Sequence, residues 1–264
     1  MIRAGFYQFQ PEFGKVRENV EAVVRRLNRA EADLIVLPEL FNTGYQFISK
    51  REGADLAEEI PRGNTTRRLI ALAKDKNMWL VAGLPEREGR SLFNSSVLIG
   101  PKGYVATYRK IHLFYEEKRW FAPGRGRFRA HDIGRARIGM MICFDWIYPE
   151  AARSLALAGA EILCHPSNLV LPYCPDAMVT RCLENRVFSI TANRIGTERR
   201  GGRKPLTFIG QSEIVDPRGR ILYRAPENRE SLNIQEIDPR EARHKVLNPY
   251  NDLLLDRRKK LYTS

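Results

Sequence analysis

The chain has 264 residues, 43% apolar and 28% charged with both signs interspersed, which suits one large α/β core and excludes extended disorder. No segment approaches the roughly 18 apolar residues of a membrane helix, and the first eight residues read as a strand rather than a secretory signal, so a cytoplasmic protein without a membrane role is expected. The net charge of +13 invites a nucleic-acid reading, but the basic residues are scattered without a helix-turn-helix, zinc-finger or RNP-like pattern, and no nucleic-acid partner is expected.

Strand-like and helix-like stretches alternate from the start, which marks a layered α/β architecture. Residues 2 to 8 form the first strand. Val16, Val20, Val23, Val24 and Leu27 then recur at helical spacing among Arg and Glu, as in an amphipathic helix. Asp33-Leu34-Ile35-Val36-Leu37 is a strand apolar on both faces, and Pro38 ends it, so Glu39 falls at its C-terminal mouth. Gly63-Asn64-Thr65-Thr66 supplies capping residues for a helix through Leu69 and Leu72, followed by a strand from Met78 to Leu84.

Strands at 92 to 99 and 104 to 110 flank Gly100-Pro101-Lys102-Gly103, a hairpin connection that leaves Lys110 at a strand end. A strand from Ala136 to Ile142 runs into Cys143. The helix after it has Pro149 for its first turn and Gly159 for its C-terminal cap, which puts Cys143 on a strand-to-helix turn. A strand at 161 to 165, a helix near 176 to 186, a strand at 187 to 193 and a hairpin turning at Asp216-Pro217-Arg218-Gly219 follow. The basic runs at 199 to 204 and 257 to 260 read as a mobile loop and an exposed tail. Residues 251 to 264, apolar at Leu253, Leu254 and Leu255 and then basic, read from composition as a C-terminal arm against a partner subunit or as a tail.

Glu39, Lys110 and Cys143 thus project from three strand ends, where open α/β sheets hold their ligands. Their chemistry is complementary. A thiol needs a base to become a thiolate, and a developing oxyanion needs a cation and backbone donors. Taken one at a time each has a plainer reading: a buried apolar cysteine, an ion-paired carboxylate, a surface lysine. Cys164, Cys174 and Cys182 keep the plain reading, and without C-x-x-C spacing neither a disulfide framework nor a metal site is expected. His112 and His165 raise a Cys-His pair, but the papain-type sequence around the cysteine is absent, and both are read as structural.

Three segments decide between these readings. Leu37-Pro38-Glu39-Leu40-Phe41-Asn42-Thr43-Gly44-Tyr45, Tyr108-Arg109-Lys110-Ile111-His112-Leu113-Phe114 and Met141-Ile142-Cys143-Phe144-Asp145-Trp146-Ile147-Tyr148-Pro149-Glu150 resemble, in order, the signature blocks of the nitrilase, or carbon-nitrogen hydrolase, superfamily. Phe121-Ala122-Pro123-Gly124, His165-Pro166-Ser167-Asn168-Leu169, Glu184-Asn185-Arg186 and Asp216-Pro217-Arg218-Gly219 resemble its supporting segments, so the likeness runs from Met1 to about Asn251. It looks nearest to the compact thermophilic archaeal members.

The resemblance implies a four-layer α-β-β-α sandwich, one domain over residues 1–264, assembled as a homodimer or larger. It implies Glu39 as general base, Lys110 as oxyanion-stabilising cation and Cys143 as nucleophile. Glu117 maps to a second glutamate that positions substrate or water, although adjacent Glu116 and a plain pairing of Glu117 with Lys118 or Arg119 leave that register open. Tyr45, Phe144, Trp146 and Asn168 are candidate substrate-binding residues; Tyr45 and Trp146 can equally be packing. The implied reaction turns small aliphatic amides or nitriles into carboxylic acid and ammonia through a Cys143 thioester, without metal or organic cofactor. N-carbamoyl amine hydrolysis and a catalytically idle scaffold stand as alternatives.

Overall fold

The computed structural model describes residues 1–262. The strands are β1 (Ile2–Gln8), β2 (Leu34–Val36), β3 (Trp79–Glu88), β4 (Ser91–Gly100), β5 (Gly103–Arg109), β6 (Ala130–Asp132), β7 (Arg137–Met140), β8 (Ile162–Pro166), β9 (Phe188–Ala192), β10 (Thr197–Glu198), β11 (Leu206–Thr207), β12 (Glu213–Val215), β13 (Ile221–Arg224), β14 (Ser231–Ile237), β15 (Val246–Asn248) and β16 (Asn251–Asp252). The helices are α1 (Val16–Leu27), α2 (Lys50–Leu56), α3 (Asn64–Lys76), α4 (Glu117–Trp120), α5 (Pro149–Leu157) and α6 (Cys174–Asn185). Two six-stranded sheets run in the orders β14-β1-β2-β3-β4-β5 and β13-β12-β9-β8-β7-β6. Each has three parallel strands at its centre, β1-β2-β3 and β7-β8-β9, and antiparallel strands outside them.

The period of two along the strands assigns the layers. In β2 and its extension, Leu34 and Val36 pack into the core between the sheets while Ile35 and Leu37 pack under α1 and α3. Val81 and Leu98 face the first core, and Leu80, Ala82, Val97 and Ile99 the second. On the far side α5 and α6 lay Ala152, Leu155, Ala156 and Met178 against the outer face of the second sheet, where Leu155 stands over Gly139, while Met140 on the opposite face meets Ser96 of the first sheet. The architecture is the four-layer α-β-β-α sandwich. β2 is apolar throughout because both of its faces are buried.

Three local features differ from expectation. The N-terminus of α3 is capped not by its own Asn or Thr side chains but by Glu58, whose carboxylate accepts from the backbone N–H groups of Thr65 and Thr66, each at 2.8 Å, and from the Thr66 hydroxyl at 2.6 Å. An acid is favoured at this helix end, where free N–H groups point outward. Between β7 and α5, a 3-10 helix over Cys143–Ile147 intervenes before Pro149 opens α5. The run at 199 to 204 is also tied down: Arg200 pairs with Glu52 at 2.7 Å and lies over the Phe13 ring, and Arg203 pairs with Glu116 at 2.8 Å. A mobile loop was the expectation from composition; its ion partners lie far away in the chain. The tail at 257 to 260 is exposed, as expected for most of its length.

Candidate active site

Glu39 follows β2 on a stretch still bonded to β3, with Gly83 N donating to Pro38 O at 3.2 Å and Phe41 N donating to Gly83 O at 3.0 Å. Leu40 then takes φ +49°, turning the chain sharply away. The contact with β3 needs a glycine, because a Cβ on Gly83 would stand 2.5 Å from Glu39 Cα. Lys110 is the first residue past β5, held by its N–H on Asn94 O at 2.8 Å and by its C=O, which accepts from Gly124 N at 2.8 Å. That second bond explains Phe121-Ala122-Pro123-Gly124, whose glycine packs against the Arg109 carbonyl.

The side chains converge. The Lys110 ammonium, fully buried, donates to Glu39 Oε1 at 2.7 Å and Glu117 Oε1 at 2.8 Å. Asn94 Nδ2 donates to the same Glu39 oxygen at 2.6 Å, and the Tyr45 hydroxyl to the same Glu117 oxygen at 2.6 Å. Of the two adjacent glutamates, Glu117 faces Lys110, while Glu116 pairs with Arg119 and Arg203. Glu39 Oε2 is buried and has no hydrogen-bond partner among the described residues.

Cys143 closes the group from the other sheet. It is 5% exposed and sits at φ +41°, a left-handed conformation that a side chain adopts only under constraint. The constraints are visible. Asp145 reaches back to accept from Ile142 N at 2.8 Å and also accepts from the Tyr108 hydroxyl at 2.7 Å, tying the turn to the strand that carries Lys110. His165 Nε2 lies 2.9 Å from the Cys143 carbonyl, and its Nδ1 lies 3.1 Å from the Thr191 hydroxyl. His112 Nδ1 lies 2.7 Å from Asp145. Both histidines brace the turn.

Charge in this dry space is unevenly balanced, with two carboxylates to one ammonium. Burial, with the neighbouring Glu117 charge, pushes Glu39 up to about 7 against the pull of Lys110. Burial and the two carboxylates raise the Cys143 thiol well above its ordinary value, opposed by Lys110 and a backbone hydrogen bond from Asn168. Burial pulls the Lys110 ammonium toward losing its proton, but Glu117 and Glu39 more than offset this and hold it above its ordinary value. Burial lowers His165 to about 4, keeping the ring neutral.

The other candidates divide. Asn168 joins the group, its Nδ2 donating to Glu39 O at 2.9 Å, and Tyr45 joins through Glu117. Phe144 packs its ring against Phe114 and Tyr148, with centroids 5.0 and 5.7 Å away, and Trp146 is buried in the same core as Cys143 and Leu169. Neither makes a side-chain hydrogen bond to the charged group. Asn94, Tyr108 and Glu198 were missed. The signal for Asn94 was present in Asn94-Ser95-Ser96, three fully buried polar residues inside an otherwise apolar β4, since buried polar groups need named partners. A surface cavity of about 560 Å³ at the edge beside Tyr104, Arg109 and Arg127 is not lined by Glu39, Lys110 or Cys143.

The sequence profile of the carbon-nitrogen hydrolase family matches residues 3–244. The chain belongs to the carbon-nitrogen hydrolase family. It is 44% identical to a nitrilase of Pyrococcus abyssi over 99% of both chains. It is 35% identical to an (R)-stereoselective amidase of a Pseudomonas species, over 79% of this chain and 74% of that one. Among solved structures it resembles, at 25% identity and a TM-score of 0.81, a nitrilase-superfamily amidase of Nesterenkonia, covering 98% of this chain and 95% of that chain. A glutamate-to-glutamine mutant of that amidase was seen with the acetamide moiety of fluoroacetamide added covalently at its active-site cysteine. As a carbon-nitrogen hydrolase this chain is an enzyme, and among its described residues no helix is long and apolar enough to cross a membrane.

Proposed function

We propose that this enzyme hydrolyses small aliphatic amides or nitriles to carboxylic acid and ammonia through a thioester on Cys143. One observation carries the reading: a single buried ammonium, Lys110, is shared by two buried carboxylates beside a cysteine held in a left-handed turn. Glu39, poised near neutrality, takes the thiol proton as sulfur bonds to the amide carbon. The carbonyl π electrons move to oxygen, where Lys110 and the Phe144 N–H, free at the start of its helix, stabilise the charge. Glu39 passes the proton to nitrogen, the carbon-nitrogen bond breaks, and ammonia leaves the thioester behind.

Water then gives a proton to Glu39 and attacks the thioester, and the departing thiolate takes that proton back as the acid is released. For a nitrile the first adduct is a thioimidate, which adds water before losing ammonia to the same thioester. Glu117, fixed by Tyr45 and Lys110, positions substrate or water, with Phe144 on the Cys143 turn and Asn168, from the segment after β8, bonded to the Glu39 carbonyl. Relatives named as nitrilase and as amidase support both substrate classes. Both run on the same groups; N-carbamoyl amine hydrolysis is the remaining alternative.

Ammonia release across small nitriles, amides and N-carbamoyl amines separates these classes. Mass spectrometry of the acylated protein should place the adduct on Cys143; an adduct on another cysteine, or silence over the whole panel, would sink the reading. Assembly as a homodimer or larger is proposed on the exposed Ile147, Tyr148, Leu157 and Leu183, whose apolar area suits an interface; a monomeric mass by light scattering would refute it. Four free, buried thiols support a reducing, cytoplasmic setting.

A further inference from the structure

Tyr45 is the neighbour of Glu117 that carries no charge, and its own position is set by a second buried ion pair. Glu198, in β10, is 6% exposed and faces Arg194, which is 1% exposed. The Glu198 carboxylate accepts from Tyr45 N at 3.1 Å and from Gln46 N at 2.6 Å. Arg194 also donates to Pro11 O at 3.1 Å and lies 4.1 Å over the Phe208 ring, which meets the Tyr45 ring edge-on at 5.9 Å. Tyr45 is thus held at its backbone by Glu198, at its ring by Phe208 and at its hydroxyl by Glu117. Gly44 makes room: at φ +84° it has no Cβ, and one would stand 2.8 Å from Glu198 Oε1.

We propose that Glu198 is a positioning residue, acting through Tyr45 to set Glu117 against Lys110 and so to tune the Cys143 thiol. The inference rests on the functional reading of Cys143 given above. A carboxylate that only neutralised Arg194 would need no backbone donors from the loop that follows Glu39. Here both Glu198 oxygens are spent on that loop and on Arg194. If the loop slides, the Tyr45 hydroxyl leaves Glu117, the Glu117 charge draws Lys110 toward itself, and the thiolate loses the cation that favours it.

The probe is iodoacetamide, a small amide electrophile, with the rate of alkylation at Cys143 read by peptide mass spectrometry across pH. E198D keeps a charge opposite Arg194 but withdraws the carboxylate by one methylene; E198Q keeps the length and loses the charge. Both are measured well below their melting temperatures. E198D and Y45F should each slow alkylation about tenfold and move its pH profile upward, since displacements of about an ångström carry effects of this size or larger. The double variant E198D/Y45F should be no slower than Y45F, because one path is cut twice.

Additive losses in the double variant, or a variant that melts earlier yet alkylates at the wild-type rate and pH, would overturn the positioning role and leave the functional reading intact. A wild-type Cys143 that resists iodoacetamide at every pH would overturn both.

Discussion

Two buried charge clusters among the described residues are built to opposite rules. Around Arg194, one cation meets one carboxylate, and the polar atoms left over are met by backbone groups of Pro11, Tyr45 and Gln46. Around Lys110, one cation meets two carboxylates, one oxygen of Glu39 has no partner, and a thiol with a raised affinity for its proton stands beside them. A balanced cluster fixes geometry and has no tendency to move protons. The unbalanced one holds a proton affinity near neutrality, which costs stability and supplies reactivity.

The largest expected effect is on the unbalanced side. C143A should cut ammonia release on the order of 10⁶-fold, as loss of a nucleophile does, with the melting temperature little changed; retained turnover would place the chemistry elsewhere. K110M should lower kcat roughly 10²- to 10³-fold by removing a donor to the developing oxyanion. It also leaves Glu39 and Glu117 to share a proton, so titration of the folded variant should show extra proton uptake.

R194M tests the balanced side. It strands Glu198 as an uncompensated buried charge and should cost about 3–5 kcal/mol in denaturant unfolding. R194M/E198Q, which removes both charges yet keeps an amide oxygen to accept from Tyr45 N and Gln46 N, should recover most of that loss. If R194M is as stable as wild type, the pair is not the matched unit its geometry indicates.

The smallest effects are in pH. Glu39 must be ionised to act as base, so kcat/KM should rise from the acid side with a midpoint near 7. The Glu117 charge is among the causes of that raised value, so E117Q should move the acid limb to lower pH; a limb that stays put would separate the two carboxylates. Stability follows with the opposite sense. The folded protein holds the Glu39 proton above the ordinary 4.5 up to about 7, so stability falls as pH rises through that window. E39Q should therefore gain more in melting temperature over wild type at pH 8 than at pH 4.

What could be read from the sequence was local. A continuous apolar run placed β2, and its end placed Glu39; the hairpin placed Lys110; Pro149 and Gly159 framed α5 and left Cys143 on the turn before it. What could not be read was pairing across distance. Asn94 with Glu39, Tyr108 with Asp145, and Glu198 with Tyr45 join residues 37 to 153 positions apart, and no periodicity records such contacts. The arginines at 200 and 203 misled for the same reason: a basic, glycine-rich run looks solvated until Glu52 and Glu116 are seen beside it. Glu58 capping α3 is a shorter instance, a cap supplied from before the helix rather than from its first residues.

Gly83 has no chemistry of its own, yet its bare α-carbon is the floor on which the strand end bearing Glu39 rests. The atoms a methyl group would meet there are all backbone, Glu39 Cα at 2.5 Å, Pro38 O at 2.9 Å and Leu40 N at 3.1 Å, so no side chain can rotate out of the way. A mutational survey scored only by turnover would rank this silent position beside the reactive ones, and an engineer seeking a roomier pocket would do well to leave it untouched.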